Sequence, residues 1–183
     1  MARELSVINN LKLKLPVANK IPGSFKDDMG IKVCSEGPIY YGRTLRGLSL
    51  KSKTLPLIAE RLKMSDQKLI DPVVDITNYI LLELGQPLHA FDRDKLNGNI
   101  SVRLAKNKEP ITLLDDQELI LDSDCLIISD EQEAIAFAGI MGGKKSSVTK
   151  TTSSIFLESA FFKPSSVRGR ARRFGFQTDA SLR

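Results

Sequence analysis

Residues 99–139 read NISVRLAKNKEPITLLDDQELILDSDCLIISDEQEAIAFAG and hold five short apolar segments in succession. These segments are NISVRLA, PITLLD, ELIL, CLIIS and EAIAFAG, and Asp, Asn, Gly or Lys residues separate them. Short runs of β-forming residues between turn-forming residues are typical of antiparallel strands. The stretch therefore predicts a meander or a barrel-like antiparallel sheet.

Helical patterns lie on both sides of this stretch. In DPVVDITNYILLELG, Asp71 is a helix cap, Pro72 suits the first turn and Gly85 suits the exit. The apolar residues of this helix that fall on one face are Val73, Ile76, Ile80 and Leu84. LPLIAERLKM, residues 55–64, has the same helical spacing.

Near the carboxyl end, KPSSVRGRARRFG predicts a helix capped by Ser165 or Ser166 and ended at Gly175. Two further strands are predicted, in YYGRTLRGLSL from Tyr40 and in SIFLES from Ser154. The fold class is therefore α+β, with a mixed or antiparallel sheet packed against several helices.

The first 36 residues differ from the rest. RELSVINNLKLKLP predicts a helix end followed by a short strand, and Pro22, Gly23 and Gly30 mark the following segment as a loop. Residues 1–36 are interpreted as a linker or as the tail of a preceding structural domain. Residues 37–183 are then the main domain.

Composition excludes some classes of protein. Hydrophobic residues make up 42% of the 183 residues, yet no apolar run approaches the length of a transmembrane helix. The N-terminus lacks the apolar region of a signal peptide. Cys34 and Cys125 are the only cysteines, which suits a reducing compartment, and we expect the cytoplasm. Two cysteines and one histidine do not suffice for a usual zinc site, so we expect no metal.

The net charge of +5 is concentrated at the carboxyl end. From residue 163 to 183 six basic residues face the single acid Asp179, which accounts for the whole excess; they are Lys163, Arg168, Arg170, Arg172, Arg173 and Arg183. Such a patch suits a polyanion such as RNA. A solvated helix face or an intersubunit salt bridge explains the same residues, and both interpretations stay open.

Three motifs carry candidate chemistry. His89, the only histidine, lies in GQPLHAFD, which is interpreted as a loop. With Asp92 three residues on, it either orients water or acts as a general base, or it simply ties the loop down by hydrogen bonds. The glycines of AGIMGG, from Ala138, permit close backbone approach to a ligand or an oxyanion, or simply a tight turn. Glu158, inside the apolar run IFLESAFF, needs a partner if it is buried.

Three long motifs occur together here: DPVVDITNYILLELGQPLHAFD, AFAGIMGG and LESAFFKPSSVRGRARRFGFQTDASLR. Together they closely resemble the central editing domain of the bacterial phenylalanyl-tRNA synthetase beta subunit. The resemblance runs from about Tyr40 to the last residue, roughly four-fifths of the chain. It implies that the chain is a piece of a larger subunit and lacks the synthetic site.

The resemblance implies hydrolysis of tyrosine wrongly attached to the phenylalanine tRNA. An apolar pocket that accepts phenylalanine rejects an analogue with one added hydroxyl only ~10²-fold, so a second site that reads the hydroxyl is needed. In this family the complete enzyme attaches phenylalanine to its tRNA with ATP. The alternative is a structural and RNA-docking module without hydrolytic activity of its own.

The resemblance also implies residue roles. Glu158 accepts a hydrogen bond from the tyrosine hydroxyl, while His89 near the ester helps to place the water and Thr77 lies close to the tRNA terminus. The residues that match the walls of the amino-acid pocket are Ala138, Gly142, Thr178 and Ala180. The candidates for tRNA binding are Lys68, Arg168, Arg170, Arg172 and Arg173.

The implied partners are the 3′ end of the phenylalanine tRNA and, for the complete enzyme, an alpha subunit in a heterotetramer of two alpha and two beta subunits. Neither membrane nor DNA is expected as a partner. No cofactor is expected in this fragment, since ATP and magnesium belong to the complete enzyme.

Overall fold

A computed structural model describes residues 2–34 and 38–178 of the chain. The helices of this part are α1 (Ala2–Ile8), α2 (Pro56–Met64), α3 (Pro72–Leu84) and α4 (Pro164–Arg173). The strands are β1 (Ile31–Val33), β2 (Ile39–Arg46), β3 (Leu88–Asp92), β4 (Ile100–Leu104), β5 (Glu109–Thr112), β6 (Glu118–Leu121), β7 (Leu126–Ser129), β8 (Ala134–Phe137), β9 (Met141–Gly142) and β10 (Ser154–Phe161). The predicted α+β class is confirmed.

The five segments of residues 99–139 become strands β4 to β8, as predicted, but they do not form the single meander that was expected. The larger sheet has the order β1-β4-β7-β8-β9, and β5 and β6 form a separate two-stranded sheet. All pairs are antiparallel except β1 and β4, which run parallel. The sheet is therefore mixed, because β1 joins it from the N-terminal segment.

A second sheet of three antiparallel strands, ordered β2-β10-β3, positions the candidate site. In its register Glu158 of β10 lies between Gly42 of β2 and His89 of β3. Residues directly opposite on neighbouring strands project to the same face. His89 is therefore on a strand, and the interpretation of GQPLHAFD as a loop is wrong. The hydrogen-bonding partner of β3 is β10, which lies more than 60 residues further along the chain.

Helix α3 begins and ends at the predicted residues. The Asp71 side chain accepts hydrogen bonds from the N–H groups of Val73 and Val74, and Gly85 ends the helix in the left-handed conformation. The predicted apolar face is only partly covered, since Ile76 and Leu84 are exposed. Helices α2 and α3 pack against each other, and α3 also packs against β3.

Helix α4 begins at Pro164, with Lys163 as its cap and no side-chain hydrogen bond to the first turn. The predicted cap at Ser165 or Ser166 is wrong, because the fixed φ of a proline already suits the first helical position. The helix ends at Arg173, and Gly175 follows with a φ of +77°, as predicted for the exit.

The N-terminal segment contains α1, but no strand follows it at residues 11–14. The strand of this segment is β1, which pairs with β4. Asp27 also ties the segment to the domain, because the Arg93 guanidinium donates to both its carboxylate oxygens at 3.1 Å. The boundary near residue 36 stays a prediction.

Two apolar clusters fill the interior. One lies between the two larger sheets, where Phe91 and Phe156 of the three-stranded sheet meet residues of β4, β7 and β8. Burial of each such aromatic side chain contributes about 1.5–3 kcal/mol. The other cluster lies on the opposite face of the five-stranded sheet, under β5, β6 and α4. None of the described helices is long and apolar enough to cross a membrane.

Candidate functional site

A pocket of about 210 Å³ opens where β3, β10, the β8–β9 hairpin and α4 meet. Most of its walls are apolar. Its lining residues with polar or charged side chains are Gln86, His89, Glu158 and Arg168. An apolar pocket with a few convergent polar groups is the usual form of a small-molecule site.

Glu158 is almost completely buried at this pocket, with 7% of its surface exposed. The Tyr40 hydroxyl donates a 2.8 Å hydrogen bond to its Oε2 atom. Burial raises the pKa of Glu158 to about 7, and the hydrogen bond from Tyr40 opposes that rise. A buried carboxylate was expected to need a partner, and the partner of Glu158 is Tyr40 of β2.

His89 lies opposite Glu158, and its ring packs edge-on against Phe91 with the ring centres 4.4 Å apart. Its Nε2 atom is buried and has no hydrogen-bond partner among the described residues. Burial lowers the pKa of His89 to about 4, so the imidazole is neutral at pH 7. A buried, unpaired polar atom calls for an explanation, and a ligand or a water is one.

The position of the His89 ring requires a glycine at residue 142. A Cβ atom at Gly142 would lie 2.3 Å from Cε1 and 2.5 Å from Nε2 of the His89 ring. The absence of a side chain on β9 therefore allows the imidazole to reach the pocket. In the turn before it, Gly139 has a φ of +67°, which favours glycine.

The backbone of this turn supports an oxyanion less well than the sequence indicated. The N–H groups of Ala138, Ile140 and Gly143 already donate to carbonyl oxygens of the chain, at distances of 2.8–3.1 Å. The Ala138 donor joins the end of β8 to β7, and the other two hold the β8–β9 hairpin, so none of the three is free for a ligand.

The other predicted wall residues lie behind the pocket or elsewhere. Ala138 is buried in the core beside the lining residues. The Thr178 hydroxyl donates to the carbonyl oxygen of Ile140 at 2.9 Å, and Ile140 does line the pocket. Ala180 lies outside the described residues.

Thr77 and Lys68 do not line this pocket. The Thr77 hydroxyl donates to the Val74 carbonyl oxygen within α3, at 2.8 Å. Lys68 is exposed in the connection between α2 and α3. The structure therefore places neither beside Glu158, and their roles stay predictions.

The arginines of α4 divide into two groups. Arg170 and Arg173 form ion pairs with Asp124 in the turn before β7, at 3.3 and 2.7 Å. Arg168 instead lies at the rim of the pocket, and Arg172 is exposed. The basic residues of α4 are thus partly neutralised by ion pairs within the chain, which neither of the two sequence interpretations included.

Tyr40 was not among the predicted site residues. It lies 118 residues from Glu158, and only the pairing of β2 with β10 brings them together. No sequence signal beyond the strand pattern marks it. Among residues 2–34 and 38–178, no three His, Cys, Asp or Glu side chains are close enough to hold a metal ion.

The fold and the pocket define an α+β module with a mainly apolar ligand site that contains one carboxylate and one imidazole. The chain belongs to the B3/4 domain family, whose model matches residues 36–183.

Among similar proteins is the phenylalanine–tRNA ligase beta subunit of Idiomarina loihiensis, 50% identical over the whole chain. The corresponding subunit of Pectobacterium atrosepticum is 46% identical over the same span. The chain spans 23% of the length of each of these relatives. The resemblance to phenylalanyl-tRNA synthetase beta subunits is confirmed.

A solved structure of similar fold is an N-terminal fragment of the phenylalanyl-tRNA synthetase beta subunit from Pyrococcus horikoshii. The TM-score is 0.56, with 15% identity, over 81% of this chain and 49% of that one. At this identity the likeness shows the fold alone.

Proposed function

We propose that this chain is an editing module that hydrolyses the ester of tyrosine wrongly attached to the phenylalanine tRNA. The observation that carries the proposal is the placement of Glu158 and His89 on one face of the three-stranded sheet, at the same apolar pocket. The Glu158 carboxylate suits recognition of a hydroxyl, and the His89 imidazole suits the placement of water.

Glu158 supplies the selectivity. An aromatic ring enters the apolar pocket, and the carboxylate accepts a hydrogen bond from the phenol of tyrosine. Phenylalanine has no group to offer a buried acceptor. Sites built to bond a substrate hydroxyl reject the analogue that lacks it by on the order of 10⁴ or more.

His89 positions the attacking water rather than removing its proton. With a pKa lowered to about 4, the imidazole is a weak base at neutral pH, but its buried Nε2 atom has no partner among the described residues and is free to bond one water. Water held there attacks the ester carbonyl carbon, and the terminal hydroxyl of the tRNA assists the proton transfer. The ester carbon–oxygen bond then breaks, which frees tyrosine and the tRNA.

The larger assembly is also part of the proposal. The relatives are named as beta subunits, so an alpha subunit is the expected partner. We propose that the alpha subunit holds the synthetic site, with ATP and magnesium, in a heterotetramer in the cytoplasm. Arg168, at the pocket rim, is positioned to meet a phosphate near the 3′ end of the tRNA.

The alternative, an RNA-docking module without hydrolysis, depends on the basic run of α4. Since Arg170 and Arg173 are paired with Asp124, only Arg168 and Arg172 of this run remain for an RNA phosphate. Affinity for RNA should then fall only moderately with salt, because the slope grows with the number of phosphates neutralised.

Deacylation assays test the proposal. Tyrosyl- and phenylalanyl-tRNA are offered to the chain, and to a phenylalanine–tRNA ligase whose beta subunit carries this sequence. We expect Glu158→Ala to slow hydrolysis of the tyrosyl ester and to reduce the preference for it over the phenylalanyl ester. Unchanged selectivity in both preparations would refute the role of Glu158. Absence of hydrolysis in both wild-type preparations would refute the function.

A further inference from the structure

Tyr40 is hydrogen-bonded to Glu158, the proposed selectivity group, although it does not line the pocket. It lies two residues before Gly42, the residue paired with Glu158, and therefore projects to the same face of the sheet. Its ring packs against the core cluster between the sheets. The tyrosine thus approaches Glu158 from the core side.

The hydrogen bond from Tyr40 has a fixed direction. Burial, followed by the nearby charge of Glu158, raises the pKa of Tyr40 far above its usual range, so its phenol stays protonated. It therefore donates to Oε2 of Glu158. This is the one hydrogen bond to the Glu158 carboxylate within the described part of the chain, so Oε1 keeps its capacity for a second donor.

We infer that Tyr40 is a positioning and specificity-determining residue, which holds Oε2 of Glu158 and favours the carboxylate form, leaving Oε1 to accept a phenol from the ligand. The inference rests on the proposed function, because it names how the same site distinguishes a phenol from a plain phenyl ring. The protein's own tyrosine and the tyrosine of the ligand would bind one carboxylate together.

The hydrogen bond from Tyr40 also favours the charge state of Glu158 that binds a phenol more strongly. A carboxylate accepts stronger hydrogen bonds than a neutral carboxyl group, so selectivity depends on the ionised form. Burial raises the pKa of Glu158 to about 7, and the bond from Tyr40 holds it below the value that burial alone would produce. Loss of that bond should shift ionisation to higher pH, so Glu158 would be largely neutral at pH 7.

Other charged or titratable groups at this pocket are few in the described ranges. From β3, His89 faces Glu158, but its lowered pKa keeps it neutral above pH 5 or so. From α4, Arg168 lies at the rim. From β2, Tyr40 stays protonated. A change in ligand binding at this pocket between pH 6 and pH 9 therefore reports the ionisation of Glu158.

The test uses p-cresol and toluene as probes of the full chain, with binding followed by NMR titration from pH 6 to pH 9. The wild-type chain should prefer p-cresol increasingly as the pH rises through about 7. Tyr40→Phe should reduce that preference at least about fivefold at pH 7, because a midpoint one unit higher lowers the ionised fraction of Glu158 from about one half to about one tenth. It should also move the midpoint of the pH dependence upward by about one unit or more, with recovery of part of the preference at pH 9.

Tyr41→Phe is the matched control, since Tyr41 is the next residue of β2, points to the other face and is 70% exposed. It should leave both the preference and the midpoint unchanged. Carbon-13 titration of the Glu158 carboxyl group gives the same midpoint without any probe, and circular dichroism reports folding of each variant.

An unchanged midpoint in Tyr40→Phe would overturn the inference, and so would a wild-type chain that binds both probes equally at every pH. Failure of the proposed function looks different. In that case p-cresol is preferred and Tyr40 controls the preference, but tyrosyl-tRNA is not hydrolysed.

Discussion

Replacement of Glu158 by glutamine should change how the stability of the protein depends on pH. In the folded protein burial raises the pKa of Glu158 to about 7 from an ordinary value of 4.5. Between these values the folded state binds more protons than the unfolded state. Stability contributed by this group is therefore complete below pH 4.5 and is lost as the pH rises to about 7. Glutamine does not titrate, so Glu158→Gln should remove this dependence.

The size of the effect follows from the two pKa values. Each tenfold change in an ionisation equilibrium is worth about 1.4 kcal/mol, so the interval between 4.5 and about 7 corresponds to about 3 kcal/mol. Because Glu158 is 7% exposed, solvent screening reduces this value little. The free energy of unfolding of Glu158→Gln minus that of wild type should therefore rise by about 3 kcal/mol from pH 4.5 to pH 8.5.

The comparison between two pH values isolates the charge. The glutamine oxygen still accepts the hydrogen bond from Tyr40, but its amide group gains no acceptor among the described residues of the pocket, which costs about 1–3 kcal/mol at every pH. That constant cancels when the difference between variant and wild type is compared at two pH values. The titration of His89 cancels as well, because both proteins contain it.

Urea denaturation of both proteins at half-unit intervals from pH 4.5 to pH 8.5 measures the effect, with free energies from linear extrapolation. Glu133→Gln is a suitable control, because it makes the same substitution at a partly exposed glutamate, paired with Lys145, that does not line the apolar pocket. A difference between Glu158→Gln and wild type that stays constant within about 0.5 kcal/mol over this range would refute the argument, because Glu158 would then titrate equally in both states.

Three further predictions concern the proposed deacylation. Gly142→Ala should displace the His89 ring, since its Cβ would lie 2.3 Å from Cε1, and should slow hydrolysis roughly 100-fold; Gly169→Ala, whose Cβ meets nothing within 4 Å, is the control and should change little. His89→Ala should slow hydrolysis of tyrosyl-tRNA while the circular dichroism spectrum is retained, and an unaltered rate would exclude His89 from the mechanism. Arg168→Ala should raise KM for tyrosyl-tRNA more than Arg172→Ala does, because only the former lies at the pocket rim; equal effects would contradict that placement.

Local patterns predicted most of the secondary structure because the signals themselves are local. Asp71 and Gly85 define the ends of α3 through contacts within a few residues, and the five segments of residues 99–139 carry their own turn residues. The segment around His89 has no comparable signal. Its strand conformation depends on hydrogen bonds to β10, so the sequence around it indicated a loop.

The site was predictable only in part, for the same reason. Glu158 and His89 were identified from a family resemblance and from the cost of burying a carboxylate. The sequence did not identify Tyr40 as a site residue, because a hydrogen bond between residues 118 positions apart produces no periodic sequence pattern. It also did not show that Arg170 and Arg173 would pair with Asp124, since charge counting ignores which side chains the fold brings together.

Two unfavourable features of the interior lie at the same pocket, and this argues for a functional origin. The ionised carboxylate of Glu158 is buried at a cost, and the buried Nε2 atom of His89 has no partner among the described residues. A core selected for stability alone would replace both by apolar side chains. Instead they lie opposite each other on neighbouring strands, and Gly142 leaves space for one of them. Departures from good packing that cluster at one pocket are expected where binding compensates for them. Under the proposed function, a ligand that donates a hydroxyl to Glu158, together with a water hydrogen-bonded to His89, would compensate for both.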